Sequence, residues 1–167
     1  MGASNILSGT LTTITNNGTI KTSVPTATSS VPIPTGMTWG GTVEYGTLTG
    51  AQTVVAGTYN NLKLDNTSGS DAAGGNITAG GTFTLAAGTF AVGANTLTLN
   101  GPTIAGTPAS LSTTSSSSLT FGGTTAGVLI PGSIAALNNL SISNTNSITL
   151  QSSPTISGTF DPQGAGL

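Results

Sequence analysis

A seven-residue cadence of apolar residues between Gly81 and Gly101 limits most strongly how this chain can fold. Three short segments, TFTL, TFAV and TLTL, follow one another there, and their leading apolar residues are Phe83, Phe90 and Leu97. Within each segment apolar and small polar residues alternate, which is typical of a strand with one buried face. Gly, Ala or Asn between the segments indicates a turn after each one. The stretch therefore predicts three short strands in succession.

Charged residues are rare in this sequence. Only 4% of the residues are charged, namely two lysines and four acids, and the chain contains no His and no Cys. An average soluble protein carries roughly 25% charged residues. Disordered chains combine low hydrophobicity with high net charge, whereas this chain is 35% hydrophobic with a net charge of −2. The composition therefore indicates an ordered fold whose polar surface consists of Thr, Ser, Asn and Gly.

The same composition excludes several classes of partner. Phosphate backbones are bound by basic residues, and a chain with two lysines and no arginine is unsuited to nucleic acid. No apolar run approaches the roughly 20 residues of a membrane span. The first residues lack the charged and apolar regions of a signal peptide, so an exported protein would already have lost its signal. Low charge with abundant Thr, Ser, Gly and Asn is typical of repetitive surface proteins, and we expect an extracellular or cell-surface location.

The chain also repeats itself over a long interval. Residues 59–66 (YNNLKLDN) match residues 137–144 (LNNLSISN), and GTF at 81–83 matches GTF at 158–160. The offsets are nearly constant and the matches keep their order, so we interpret residues 41–117 and 118–160 as two copies of one repeat.

The organisation of the rest is simpler. Residues 25–38 contain Pro25, Pro32 and Pro34, and proline cannot donate to a β-ladder, so this segment predicts a loop. We expect residues 1–167 to form a single elongated domain.

The spacing of the strongest apolar pairs predicts the architecture. These pairs begin at Val43, Leu62, Phe83, Leu119, Leu140 and Phe160. The steps between neighbouring pairs are nearly equal, except for a longer one from Phe83 to Leu119, which we interpret as two coils. An all-β solenoid (a parallel β-helix) with about 18–21 residues per coil fits this arithmetic, with about eight coils in a rod roughly 40 Å long. The alternative is a β-sandwich of many short strands, which shares the alternation and the turns.

In the solenoid, the three opening segments become successive walls of one coil. Phe83, Phe90 and Leu97 would then point into the core from different walls, and the threonines beside them would face outward.

Residues 41–66 (GTVEYGTLTGAQTVVAGTYNNLKLDN) and 75–101 (GNITAGGTFTLAAGTFAVGANTLTLNG) resemble a repeat that is common in very large secreted bacterial surface proteins. The similarity covers residues 41–101, with 118–160 as a degenerate second copy, and leaves positions 1–40 unmatched. The resemblance implies an adhesin-like or filamentous extracellular β-solenoid. It brings no catalytic motif, so no active-site residue follows from it.

The chain offers little chemistry. Without His or Cys, the common catalytic triads and zinc sites cannot be built from this chain. Paired carboxylates can hydrolyse glycosides, and the available acids are Glu44, Asp65, Asp71 and Asp161. Such sites normally add aromatic platforms and basic helpers, whereas this chain has one Trp and no Arg. We therefore expect these acids to be solvated turn or surface residues, and predict no enzymatic activity and no cofactor.

Two sites remain as alternatives. Asp65 and Asp71 border an oxygen-rich loop, DNTSGSD, which makes them candidates for calcium ligands, although Asx turns explain the same residues. Thr82, Thr84, Thr96 and Thr98 form T-x-T pairs that would face outward. A regular array of this kind is typical of solenoids that bind ice or carbohydrate, whereas the simpler explanation is the β-propensity of threonine. TFAV, LKLD and LSIS interrupt the T-x-T pattern along the sequence.

The sequence thus favours a structural extracellular protein, either a surface-adhesin repeat or a self-assembling fibre subunit. The open ends of a solenoid can accept another strand or coil. We expect the partner to be a further copy in a head-to-tail homopolymer or further repeats of a larger chain, with a surface glycan as an additional ligand. The alternative function is ligand binding through the outward threonines.

Overall fold

The computed structural model describes residues 6–9, 14–46 and 50–163, so both ends of the predicted domain 1–167 lie outside the described residues. The described residues form strands and one 3-10 turn, Pro108–Ser110. The strands are β1 (Thr19–Thr22), β2 (Met37–Tyr45), β3 (Thr53–Val54), β4 (Gly57–Ala73), β5 (Ile77–Ala79), β6 (Phe83–Ala91), β7 (Thr96–Leu99), β8 (Ala105–Gly106), β9 (Leu111–Ser112), β10 (Ser118–Phe121), β11 (Val128–Ile130), β12 (Ala136–Leu137), β13 (Asn139–Ile142), β14 (Ile148–Leu150), β15 (Thr155–Ile156) and β16 (Phe160–Pro162).

The strands stack as the coils of a β-solenoid with about seven turns. Every strand pair among the described residues is parallel, and the two partners of a pair lie about one coil apart along the chain. The predicted fold class is therefore confirmed. A β-sandwich is excluded, because its meander and Greek-key connections produce antiparallel neighbours.

Each coil has three walls, which we name by their outer residues. The threonine face contains residues 37–39 of β2 and 57–59 of β4, followed by β5, β7, β10, β13 and β16. The lysine face contains β1, residues 42–45 of β2, 61–64 of β4 and 83–85 of β6, followed by β8. The third face contains β3, residues 71–73 of β4, 89–91 of β6, and β9.

The threonine face fixes the length of a coil. Its inward positions succeed one another through Trp39, Tyr59, Ala79, Leu99, Phe121 and Ile142. A coil therefore takes about 20 to 22 residues, which is slightly more than predicted.

The interpretation of the long step from Phe83 to Leu119 as two whole coils was wrong. Phe83 pairs with Leu62 on the lysine face, whereas Leu119 pairs with Leu97 and Leu140 on the threonine face. The step therefore includes a change of wall, and the coils number about seven rather than eight.

The stretch from Gly81 to Gly101 occupies the three walls of one coil, as predicted. Phe83, Phe90 and Leu97 are all buried, with at most 2% of each residue exposed. A single strand, β6, carries both phenylalanines around a corner at Gly88, whose φ of +73° places it in the left-handed region that favours glycine. The two rings meet edge to face with centroids 5.8 Å apart inside the core.

Asparagine and glycine alternate at the corner between the threonine and lysine faces. Asn61 accepts a hydrogen bond on Oδ1 from the Thr82 backbone N–H of the next coil at 2.9 Å. A Cβ on Gly81 would lie 2.7 Å from Asn61 Oδ1, so only glycine leaves room for this side chain. The same bond joins Asn139 Oδ1 to the Thr159 N–H at 2.8 Å, beside Gly158. Asn61 begins the lysine-face segment of its coil, whereas Asn139 begins β13 on the threonine face. The sequence match between the two halves thus corresponds to the same contact at two different corners.

The proline-containing segment stacks beside the third face near the N-terminal end of the rod. Residues 23–36 contain no strand, but the Thr26 N–H donates to the Ala51 carbonyl of the next coil at 2.8 Å, and Val24 and Ile33 are completely buried. The loop ends two residues earlier than predicted, because Met37 already belongs to β2. Val31, by contrast, stays 48% exposed.

A pair of tyrosines satisfies a backbone unit that points into the core. The Val55 N–H donates to Tyr45 Oη at 3.1 Å, and Tyr59 Oη donates to the Val55 carbonyl at 2.7 Å. The two hydroxyls lie 3.4 Å apart, which lets Tyr45 donate to Tyr59 and close the ring of hydrogen bonds. Burial raises the pKa of Tyr45 to about 12 and shifts the pKa of Tyr59 upward as well.

We expect Tyr45→Phe to lower the free energy of unfolding by about 1–3 kcal/mol, because it leaves the buried Val55 N–H without an acceptor. Urea denaturation followed by circular dichroism measures the change. Tyr59→Phe is the matched comparison, since it removes the donor to the carbonyl of the same residue. Unchanged stability in both variants would contradict the role assigned to this hydrogen-bond ring.

Candidate functional site: the threonine face

The outer surface of the threonine face carries one unbroken row of threonines. One position of the wall faces outward at the same place in successive coils, and it holds Thr38, Thr58, Thr78, Thr98 and Thr120. Ser141 and Asp161 continue the row towards the C-terminal end. We call the five threonines the threonine ladder. Adjacent rungs are separated by the distance between neighbouring strands, about 4.8 Å.

The ladder hydroxyls are directed to solvent. Thr38 and Thr58 are exposed, and Thr78, Thr98 and Thr120 are half-buried between their neighbours. Within the ranges that the structure describes, none of the five side chains forms a hydrogen bond to protein. Threonine is β-branched and stiff about χ1, so a stacked row presents hydroxyls and methyls in a fixed arrangement.

The flanking row on the same wall is also uncharged, although its polar groups bond internally. Thr96 pairs in register with Ser118, and Ser118 with Asn139. Asn76 Oδ1 accepts from the Thr96 N–H at 2.9 Å, and Asn139 Nδ2 donates to Ser118 Oγ at 3.2 Å. These bonds fix the row as a polar border beside the ladder.

The four threonines singled out from the sequence do not share one surface. Thr96 and Thr98 lie on the threonine face, whereas Thr84 lies opposite Lys63 on the lysine face, and Thr82 precedes the same strand. The segments TFAV and LKLD, which interrupt the pattern along the sequence, belong to other walls. The ladder is therefore continuous through five coils in space.

The sequence does contain a signal for this ladder. Each rung is followed by one buried residue and by two residues that are Gly or Asn: TWGG at 38–41, TYNN at 58–61, TAGG at 78–81, TLNG at 98–101 and TFGG at 120–123. The buried residue forms the core, and the Gly/Asn pair forms the corner described above. Because the buried residue varies from Trp to Ala, the apolar pairs do not reveal this recurring Thr-x-Gly/Asn-Gly/Asn pattern.

Most of the charge of the chain is concentrated on the lysine face. Lys21 Nζ lies 2.6 Å from Glu44 Oε1, and Lys63 Nζ lies 3.3 Å from Glu44 Oε2 and 2.9 Å from Asp65 Oδ2. Although burial alone would raise the pKa of Glu44, hydrogen bonds and attraction from both lysines lower it below its ordinary value. Hydrogen bonds to Asp65 and Glu44 raise the pKa of Lys63. This chain of ion pairs neutralises itself and lies on a different wall from the ladder.

Asp71 differs from the other charged residues, because its side chain points into the core. It is 1% exposed and occupies the wall position that Phe90 and Leu111 occupy in the next two coils. Its Oδ1 accepts from the Gln52 N–H at 2.9 Å and from Asn66 Nδ2 at 2.7 Å. Burial raises the pKa of Asp71, and these two hydrogen bonds lower it only in part.

The two candidate calcium ligands lie on opposite sides of the coil wall. Asp65 is outside, bonded to Lys63, and Asp71 is inside, bonded to Gln52 and Asn66. Over the described ranges, no three acidic, His or Cys side chains form a group that could hold a metal ion. Asp161 lies near the C-terminal end, on the row that continues the ladder.

Two shallow cavities flank the exposed Val31 near the N-terminal end. One, of about 300 Å³, is bordered by Leu7, Pro34 and Thr35, and the other, of about 280 Å³, by Thr53 and Ala56. None of the described residues that line them is charged. In the part of the chain that the structure describes, no helix is long and apolar enough to cross a membrane.

Comparison of the chain with protein-family models, with curated proteins and with solved structures gives no match.

Proposed function

We propose that this chain is a structural module of an extracellular surface protein, a solenoid rod whose C-terminal end accepts a further coil. One observation carries the proposal: among the described residues, core positions of the last coil pair with a neighbouring coil on one side only. Phe160 is 46% exposed although it lies in register with Leu140, which is 1% exposed. Leu150 is 37% exposed although it lies in register with Ile130, which is completely buried.

The two ends of the rod differ in a way that supports this proposal. Near the N-terminal end Val24 and Ile33 are completely buried, whereas β16 is the last described strand of its sheet and lies beside exposed apolar side chains. An unpaired edge with an apolar inner face favours pairing with another segment. The segment that fits is a coil of similar width, supplied by a further repeat or by a second copy.

The exterior supports an extracellular setting. The surface is built from Thr, Ser, Asn and Gly, and four of the six charged residues pair with one another on the lysine face. Main-chain hydrogen bonds run along the whole rod, so stiffness needs neither disulfides nor metal ions. We assign the chain a mechanical rather than a catalytic role.

The proposal predicts concentration-dependent self-association of the isolated chain through its C-terminal end. Sedimentation velocity over a range of concentrations, with negative-stain electron microscopy, should show particles longer than one rod. The double substitution Leu150→Lys and Phe160→Lys should abolish association, because it places charges on the exposed core positions.

Val31→Lys is the matched control, because it removes an exposed apolar side chain from the opposite end of the rod. If it leaves association intact, the loss in the double variant is specific to the C-terminal end and is not a general effect of removing exposed apolar side chains. If it also prevents association, the contact runs head to tail. A particle that stays monomeric at every concentration would contradict self-assembly.

A further inference from the structure

We propose that the threonine ladder binds the surface of ice crystals. This inference goes beyond the mechanical role, because it concerns a side wall of the rod and not its end. Five stacked threonines leave their hydroxyls without a protein partner in the described part of the chain. Such groups must bond to something outside the protein, and their repeat decides which partner fits.

The repeat of the ladder resembles the geometry of hydrogen-bonded water. Two water oxygens that bond to a common third at the tetrahedral angle lie about 4.5 Å apart, given O–H···O distances of about 2.75 Å. Ladder rungs are spaced about 4.8 Å apart. Hydroxyls on successive rungs can therefore substitute for alternate water positions of a crystalline layer with a small mismatch.

Rigidity makes this match useful. Neighbouring rungs are held in register by main-chain hydrogen bonds, and each β-branched side chain has restricted χ1. The threonine side chains therefore lose little conformational freedom when they bind a layer of crystalline water, which lowers the entropic cost of binding.

The chemistry of the face selects an uncharged ligand. The charged side chains of the lysine face lie on another wall, and Asp161 is two positions beyond the last rung. Strongly hydrated charges, which would hold their own water shell against a crystal, are therefore missing from the five rungs. The methyl groups between the hydroxyls further weaken the binding of liquid water.

Aromatic side chains commonly stack on sugar rings, but in the five coils that carry the rungs the described aromatic residues of this wall point inward, and the exposed Phe160 lies beyond them at the C-terminal end. Trp39 and Tyr59 belong to the threonine face but point inward and are completely buried. Phe121 does the same in a later coil. The wall therefore favours a lattice of water over a polysaccharide surface.

The test is thermal hysteresis and ice shaping by the full chain, measured in a nanolitre osmometer. The unmodified protein should produce both effects. Thr58→Tyr and Thr98→Tyr, each of which places a bulky ring on a rung, should abolish or strongly reduce them. Thr84→Tyr is the matched control, because Thr84 is also a half-buried outward threonine of a strand but lies on the lysine face. It should retain the unmodified activity.

Melting curves of all three variants separate loss of binding from loss of fold, and the exposed Thr58 has the most room for the ring. Equal loss in Thr84→Tyr and Thr98→Tyr would overturn the assignment of the face. Absence of any effect on ice by the folded, unmodified protein would overturn the proposal. Retention on crystalline cellulose or chitin, lost in Thr98→Tyr and without any effect on ice, would overturn it in favour of a polysaccharide ligand.

Discussion

The free energy of unfolding is expected to fall by about 3–5 kcal/mol when Phe90 is replaced by alanine. Phe90 is completely buried on the third face, between Asp71 of the preceding coil and Leu111 of the following one. It also forms the edge-to-face contact with Phe83. Parallel strand pairing holds the main chain of the coils on either side. The walls therefore cannot collapse to fill the cavity that alanine would leave.

Urea denaturation with two probes measures this loss. Trp39 is the only tryptophan of the chain and lies more than two coils closer to the N-terminus, whereas circular dichroism reports on all coils. In a solenoid each coil contacts only its neighbours, so damage at one coil can separate the unfolding of the two parts. We expect the two probes to coincide in the unmodified protein and to diverge in Phe90→Ala.

Two controls come from the same wall. Thr89 is exposed beside Phe90, and Thr89→Ala should change stability by no more than about 0.5 kcal/mol. Phe90→Leu introduces the residue that the next coil carries at this position, and it should cost clearly less than alanine. A loss below about 1 kcal/mol in Phe90→Ala would show that the core tolerates cavities and is not closely packed.

The fold could be predicted from the sequence because the strongest local signal is also the architectural one. Each wall of a coil is so short that a single apolar pair marks it, and Phe83, Phe90 and Leu97 mark three walls in a row. Parallel stacking then follows from the long period of the apolar pairs, since adjacent copies of a wall are too far apart in sequence for hairpins.

The wall to which each apolar pair belongs could not be predicted in the same way. An apolar pair looks alike on every wall, so Phe83 and Leu119 could be counted on one wall although they belong to two. The two Gly or Asn residues that follow each rung identify the wall, because they recur once per coil at the end of the threonine face. The ladder is hidden in the sequence for this reason: its threonines lie one whole coil apart and are visible only once the corner fixes the register.

Asp71 shows a second limit of the sequence. It stands in the segment SGSD, which is typical of a solvated turn, and the structure places it in the core. The determining fact is its register with Phe90 and Leu111, which becomes known only when the coils are aligned.

Replacement of Asp71 by asparagine is expected to make the protein more stable near neutral pH and to flatten the dependence of stability on pH. Burial raises the pKa of Asp71, so the native protein binds its proton more readily than the unfolded chain does. Stability contributed by the protonated form is therefore lost as the pH rises from the unfolded value, 3.8, through the folded one. Each unit of that pKa shift corresponds to about 1.4 kcal/mol.

Asparagine suits this position because both hydrogen bonds end on one oxygen. The Gln52 N–H and Asn66 Nδ2 donate to Oδ1, which an asparagine keeps, and the other oxygen becomes the amide nitrogen. Glu44 works in the opposite direction, since its pKa is lowered and its contribution is lost as the pH falls. Both proteins keep Glu44, so the difference between unmodified protein and Asp71→Asn isolates the buried acid.

Urea denaturation of both proteins from pH 3 to pH 8 tests this expectation. The two free energies of unfolding should nearly coincide at pH 3 and diverge as the pH rises, until the native Asp71 is ionised. Asp65→Asn controls for the removal of one negative charge, because it removes a carboxylate from the outer side of the same strand. Parallel curves for the unmodified protein and Asp71→Asn over the whole range would show that the buried carboxylate costs the fold nothing. The hydrogen bonds from Gln52 and Asn66 would then compensate fully for its burial.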